Sequence, residues 1–433
     1  MKLQAPKGTR DFYPKECAWR QHLIDAWRRV SIRNGFEQVD GPIFESLDLY
    51  KVKSGEGIVN ELFHFQDRGE RELAIRPEFT PTLARMVAAQ ANALPKPIKW
   101  FCTPNLCRAE KPQKGRGREF WQWNVDLLGT EVQQSPLADA ECIFTLVDFM
   151  NEMGLRPEHV RVKISHRQTV RHILSKMGVA EDKIDDAFVL LDRRDKLVEA
   201  EFLTAAAALG LDEMRVQRFN ETCRRKFPAG DLDHLTRAIG LSESPEDLEA
   251  LDRELRAFGI AEWCEYDLGI VRGLAYYTGT VFEAHETSGA MRAMAGGGRY
   301  DQLIELFGGP KTPAVGFGMG DMVISDVLID KGLAPENVTP KPDVFVIAAN
   351  DNAAPHIGSI VATLRKAGVH ARFSYKSTRN VGKLLKDAAN AHARFAVIVD
   401  DAIVKNLVQI KDLAGGAQEE ITLADLPAKL NRS

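Results

Sequence analysis

The segment from Glu119 to Leu128 constrains this chain more than any other. Side chains of a β-strand point alternately to its two faces. Trp121, Trp123, Val125 and Leu127 fall on one face, and Phe120, Gln122, Asn124 and Asp126 fall on the other. The first set needs a core. The second sets hydrogen-bonding side chains in a row, and if that face is covered they must find partners. An upstream strand over 98–110 brings Arg108 and Glu110 to one face. Between the two runs, Lys111–Arg118 holds four basic residues and two glycines. The pattern predicts an antiparallel hairpin with a long cationic tip. Its polar face is either a solvated surface or a ligand site, and the loop suits phosphates or an RNA end.

Around this hairpin the elements are readable. Ala18, Leu23, Ala26, Trp27 and Val30 predict a helix over 15–34, stopped at Gly35. A second helix over 82–94 ends at Pro95-Lys96-Pro97. Residues 168–259 have helical spacing, dense alanine and few β-branched runs, which predicts a helical insertion. Strand-like composition returns at 263–284, and Gly296–Gly298 precede a short helix near 302–307. The proline-rich stretch 331–342 reads as a linker. Beyond it, strands at 344–349, 372–375 and 395–399 alternate with helices at 357–366 and 381–391, which predicts a small α/β domain.

With 433 residues, of which 44% are hydrophobic and 27% charged, the chain has material for a sizeable core. At roughly 100–200 residues per domain, two to four domains fit. The net charge of −4 gives no global argument for nucleic acid. A local one exists: residues 361–411 carry ten Lys/Arg against three Asp, with Arg372, Lys376, Arg379, Lys383 and Lys386 in one run. The six cysteines are scattered without a C-x-x-C pair, and no H-E-x-x-H occurs, so no protein-built metal site is expected. Reduced thiols, no signal-type N-terminus and no apolar run of about 20 residues lead to the expectation of a cytoplasmic protein with no membrane partner.

Six segments, in order, resemble one family. Arg108–Arg116 followed by Arg118-Glu119-Phe120-Trp121-Gln122 is similar to motif 2 of histidyl-tRNA synthetases, which are class II enzymes. Lys7–Pro14 resembles their N-terminal signature, and Arg76-Pro77-Glu78-Phe79-Thr80 their Arg-Pro-Glu-x-Thr segment. Arg272–Glu283 resembles their histidine signature, and Gly296–Asp301 and Pro313–Gly318 follow in family order.

The resemblance implies an α+β chain. A class II catalytic domain on an antiparallel sheet (1–167 and 260–330) would hold a helical insertion (168–259). A linker (331–342) and a C-terminal α/β anticodon-binding domain (343–433) would follow. It implies ATP-dependent activation of L-histidine to histidyl-adenylate and transfer to the 3′ end of tRNA(His). ATP and Mg²⁺ would be required, and the protein would be a homodimer. Catalytic cations would be Arg108 and Arg272. Histidine would be held by Glu78, Thr80, Gln122, Asp126, Tyr276 and Tyr277. Glu110, Arg116, Arg118 and Arg299 would meet ATP or the tRNA end, and Arg379, Lys383 and Lys386 would contact RNA.

The chain departs from the family in two places. Ala275 stands where the histidine signature usually has Asp. Gly318-Met319-Gly320-Asp321-Met322-Val323 lacks the arginine that usually ends motif 3 and meets ATP, leaving Arg272 and Arg299 as candidates for that cation. Two other readings stay open. One is a catalytically inactive, histidine-binding regulatory paralogue of histidine biosynthesis. The other is an RNA-binding sensor.

Overall fold

The computed structural model describes residues 3–54, 56–194, 197–270 and 276–431. The chain forms two compact units, 1–337 and 338–433. The first is built on a ten-stranded sheet that is antiparallel except at two strand pairs towards its edges. The second holds a five-stranded sheet covered by helices. The α+β class expected from the sequence is observed.

The predicted hairpin lies at the heart of the large sheet. Its second strand, Glu119–Leu128, has the predicted bounds. Its first strand breaks in two, Ile98–Cys102 and Asn105–Cys107. Both halves pair antiparallel with Glu119–Leu128. Pro104 lies in the break; it has no N–H for a ladder, but its carbonyl accepts from Gln122 N at 3.1 Å. On the other side Glu119–Leu128 pairs with Ala314–Gly320, which pairs with Ala295–Arg299.

Each face of these three strands is decided by one register. Trp123, Val125 and Leu127 are buried in the main core with Phe317, Met319 and Ala295. Helices Pro14–Arg33 and Ser135–Glu152 supply the rest of that layer through Leu23, Trp27, Ile143, Leu146 and Phe149. Trp123 meets Phe317 edge-on at 5.0 Å. Its indole N–H is satisfied by Ser31 Oγ at 2.9 Å, and Ser31 donates onward to Trp27 O. A buried tryptophan needs such a partner.

The helix predicted over 15–34 is Pro14–Arg33, and Gly35 ends it with φ +79°. The helix predicted over 82–94 is Thr80–Ala89, five residues shorter at its end because turns precede Pro95. Among the described residues, 167–257 hold six α-helices, in line with their helical spacing, plus the short strand Phe227–Pro228, which joins the edge of the large sheet. In the second unit, Val344–Ala348, Ala371–Phe373 and Phe395–Val399 are parallel, and Leu407–Asp412 and Gln418–Thr422 extend the sheet antiparallel.

Gly297 lies on the apolar face with no room for a side chain: a Cβ there would sit 2.2 Å from Gly316 O and 2.6 Å from Phe317 Cβ. Gly297→Ala should therefore destabilise the first unit by about 1–3 kcal/mol through overpacking. Thermal unfolding would read this as a lowered midpoint, and an unchanged midpoint would contradict the packing described.

Candidate functional site

The face opposite the core is a trough. Gln122, Asn124 and Asp126 project from Glu119–Leu128, and beside them the next strand carries only Gly320, Gly318 and Gly316. The strand after that adds Gly296 and Gly298 in the same rows. Five glycines at period 2 thus leave an open floor beside a row of polar side chains. The space is already used by that row. A Cβ on Gly316 would fall 2.2 Å from Asp126 Oδ1, and one on Gly318 would fall 2.3 Å from Gln122 Nε2. Tyr277 Cδ1 lies 3.0 Å from the Cβ position of Gly298.

At the far end of the trough Asp126 is buried, and it accepts a hydrogen bond from the Tyr300 hydroxyl. Burial pushes the Asp126 carboxyl up to about 7, against the opposing pull of the Tyr300 hydrogen bond. Burial and the adjacent carboxylate push the Tyr300 hydroxyl well above its ordinary range, so it stays a donor. Asp126 Oδ2 is buried and has no hydrogen-bond partner. A buried acceptor without a donor is costly, and here it faces a site wanting an N–H. Tyr276 completes an aromatic wall, 4.7 Å from Tyr277 and 6.1 Å from Tyr300 between ring centroids. Tyr277 itself is largely core, packed among Phe79, Leu83 and Val281.

At the near end, Arg108 donates through Nε to Pro77 O at 3.0 Å, and its guanidinium lies 5.0 Å from the Phe120 ring centre. No carboxylate of a described residue pairs with it. This bond sets Arg108 beside Glu78 and beside Thr80, which opens the helix Thr80–Ala89. Arg76 holds the segment in place from below: it is buried and bonds Asp40, Gly41 O and Asn105 O. Gln122 donates to Asn124 at 2.9 Å. Glu78, Thr80, Arg108, Gln122, Asp126, Tyr276 and Tyr277 therefore stand on one face of the sheet or on the segments bordering it. Arg272 and Ala275 lie outside the described residues.

The cationic tip folds back as a turn, with Gln113 and Arg116 exchanging both backbone bonds at 2.9 Å and Gly115 at φ +73°. Glu110 pairs with Arg116, and its carbonyl accepts from Arg118 Nε at 3.2 Å. The base of the tip is pinned by the N-terminal signature, where Arg118 N donates to Gly8 O at 2.8 Å.

Arg299 corrects an expectation. It is buried, and its guanidinium donates to Asp139 through Nε and NH2, to Asp301 through NH1 and to Ser135 O through NH2. Burial works against its charge, but Asp139 and Asp301 more than offset this and hold its proton firmly. With four donor bonds inside the protein it is a strut and is not available to ATP. Asp301 also accepts from Thr278 Oγ1 at 2.9 Å and Ala314 N at 3.1 Å, which fixes the chain just after Tyr276 and Tyr277.

In the second unit the helix Val381–Asn390 is capped by Asn380, whose side chain accepts from Lys383 N at 3.0 Å. Lys383 and Lys386 are exposed. Lys376 and Arg379 are partly neutralised, by Asp387 at 2.8 Å and Asp351 at 3.0 Å. Near them lies a cavity of about 300 Å³, lined among others by Phe373, Tyr375, Lys376 and Arg379. Tyr375 is 92% exposed and its ring lies 4.6 Å from that of Phe373. No group of three or more His, Cys, Asp or Glu able to hold a metal exists among the described residues. Nor is any of their helices long and apolar enough to cross a membrane.

Tyr300, Asn124 as a neighbour of Gln122, and the carboxylates Asp139 and Asp301 that hold Arg299 do not stand out as site residues in the sequence. The glycine floor had a signal: Gly316, Gly318 and Gly320 repeat at the same period as Gln122, Asn124 and Asp126. Nothing in sequence tells that the two rows are neighbours.

Comparison with known proteins identifies the family. The family model for histidyl-tRNA synthetase matches residues 8–321, and an anticodon binding domain model matches residues 343–433. The chain is 38% identical to a histidine–tRNA ligase of Opitutus terrae over 97% of its own length and 96% of that protein's. It is 36% identical to the chloroplastic/mitochondrial histidine–tRNA ligase of Arabidopsis thaliana, over 98% and 86% of the two chains. Among solved structures, histidyl-tRNA synthetase from Nostoc sp. PCC 7120 superposes with a TM-score of 0.81 at 25% identity, covering 100% of this chain and 99% of that one. With the family model spanning well over half of the sequence, the chain belongs to the histidyl-tRNA synthetase family.

Proposed function

We propose that this protein activates L-histidine with ATP and transfers it to tRNA(His). The observation that carries this reading is the trough. It offers an unpaired buried acceptor at one end, Asp126 Oδ2, and an arginine without an ion-pair partner at the other, Arg108. An amino acid with an N–H-bearing ring and a carboxylate fits such an axis.

Asp126, held by Tyr300, takes a ring N–H, and the tyrosines enclose the imidazole. Glu78 and Thr80 take the α-amino group together with Gln122. Arg108 orients the α-carboxylate and the α-phosphate of ATP, because a guanidinium presents donors as a rigid fork. A carboxylate oxygen of histidine attacks the α-phosphorus, the bond to the bridging oxygen breaks, and pyrophosphate leaves with the electron pair. Negative charge accumulates on the α-phosphate, and Arg108 opposes it. In the second step a ribose hydroxyl of the terminal adenosine attacks the activated carbonyl and AMP leaves. Mg²⁺, when bound with ATP, neutralises phosphate charge; it takes one or two carboxylates and relies mainly on phosphate oxygens and water.

The tRNA is engaged by the second unit. Lys383 and Lys386 give backbone charge, Arg379 adds to it, and Tyr375 offers an exposed ring on which an unpaired base can stack. A cytoplasmic homodimer belongs to the same proposal, with exposed Ile43, Phe44 and Phe65 as apolar surface for a second copy. Against the regulatory-paralogue reading stand the curated relatives matched over most of their length, which are ligases by name, and the match of the C-terminal unit to an anticodon binding domain.

ATP–pyrophosphate exchange with each amino acid in turn tests the activity, and exchange with histidine alone is expected. Arg108→Ala should lower that exchange by roughly 10²–10³-fold, as for loss of one transition-state donor, with an unchanged melting midpoint; near-parental turnover would remove Arg108 from the mechanism. Asp126→Asn should raise the histidine KM by about 10²-fold or more, since the amide has one acceptor oxygen and cannot accept from both a ring N–H and Tyr300 as two carboxylate oxygens can.

The same variant has a pH signature. The folded carboxyl holds its proton up to about 7, while the unfolded one releases it near 3.8. Asp126 therefore contributes stability that is present below the unfolded pKa and lost as pH rises to 7. The midpoint of Asp126→Asn relative to the parent should improve between pH 4 and 7, and a flat difference would refute the burial effect. Lys383→Ala with Lys386→Ala should raise the tRNA KM and lower its salt dependence by up to about two ions, leaving exchange intact; unchanged tRNA affinity and salt slope would place the RNA elsewhere.

A further inference from the structure

We propose that Arg10 supplies to the ATP phosphates the cation that the start of the Asp321–Asp330 helix lacks. This rests on the ATP-dependent activation proposed above and adds a residue to it.

Arg10 enters from the N-terminal segment, far in sequence from the hairpin, and is brought to its base. Gly8 lies directly against the cationic tip at φ +88°, where a Cβ would fall 2.6 Å from Pro112 Cγ. Two residues on, Arg10 NH2 donates to Asp321 Oδ2 at 2.7 Å. Asp321 is buried in the first turn of its helix, and its other oxygen accepts from Trp121 N at 3.1 Å. The carboxylate is thus a fixed anchor that orients the guanidinium.

That anchor sits on a seam. Met322 Sδ lies 3.2 Å from the Cβ position of Gly117, and Val323 Cγ2 lies 3.1 Å from that of Gly115. The helix start and the phosphate-suited tip are therefore in contact, and Arg10 is the arginine tied to the helix start there. Its side chain is 33% exposed, so a ligand can still reach it. Its Nε is buried without a hydrogen-bond partner, a donor left waiting.

The surrounding charges leave a need for it. A triphosphate brings about four negative charges, and fixed guanidinium forks suit it better than mobile ammonium groups. Arg299 is consumed by Asp139 and Asp301. Of the arginines around the hairpin's base, Arg108 and Arg118 bond carbonyls through Nε, Arg116 pairs with Glu110, and Arg10 pairs with Asp321 while its own Nε has no partner. Arg10 is the one of these anchored on the helix start itself.

The test is ATP–pyrophosphate exchange at saturating histidine with ATP varied, on the full chain, for the parent, Arg10→Gln and Arg10→Lys. Histidine binding without ATP is measured alongside by calorimetry. Arg10→Gln is expected to raise the ATP KM about tenfold or more while the histidine Kd and the melting midpoint hold. Arg10→Lys keeps charge without the fork and should fall between. An ATP KM within twofold of the parent in Arg10→Gln overturns the assignment. So does a parallel loss of ATP and histidine affinity with a lowered midpoint, which would make Arg10 a strut. If the glutamine variant does not fold, the lysine variant decides: an ATP-specific rise supports the role and an unchanged ATP KM overturns it. A parent that shows no exchange at all fails the proposed activity itself, which separates that failure from a failure of Arg10.

Discussion

The register between Glu119–Leu128 and Ala314–Gly320 is the constraint on which the rest depends. Side chains alternate faces, so a slip of one residue would exchange the two faces of the strand. In the observed register Trp123 and Val125 meet Met319 and Phe317 in the core, while Asn124 and Asp126 meet Gly318 and Gly316. Core stability and site shape are thus set by the same ladder. A slip would bury three polar side chains against Phe149 and Trp27 and empty the trough in one move.

Burial is the second theme. The site's reactive character comes from groups held out of water with unequal numbers of partners. Arg299 is buried with two carboxylates and a carbonyl, and it is inert because it is satisfied. Asp126 is buried with one partner and one unpaired oxygen, and that oxygen is left with hydrogen-bonding capacity to spare. The same distinction separates Arg116, matched by Glu110, from Arg108, whose guanidinium bonds a carbonyl and no carboxylate among the described residues. Residue type does not separate them; the count of internal partners does.

That distinction also marks how far the sequence could be read. The Glu119–Leu128 strand, the Pro14–Arg33 helix and the alternating elements after residue 343 follow from period and breakers alone, because local pattern fixes local structure. The break at Thr103-Pro104 was missed because a proline at a strand end and one inside a strand read alike. Arg299 was misread because its partner Asp139 lies 160 positions away on a helix whose docking no local pattern encodes. Tyr300 escaped for the same reason, being tied to Asp126 at a separation of 174. The Arg10–Asp321 pair spans 311 positions and could be found only in three dimensions.

The glycine floor has a consequence for how such a site is probed. Truncation to alanine, the usual way of asking what a residue does, removes nothing at Gly316 or Gly318 and instead adds volume where Asp126 and Gln122 already sit. The seats of Asp126 and Gln122 are thus set by the side chains that Gly316 and Gly318 lack, and what either seat does is asked by changing the polar residue, not the glycine opposite it.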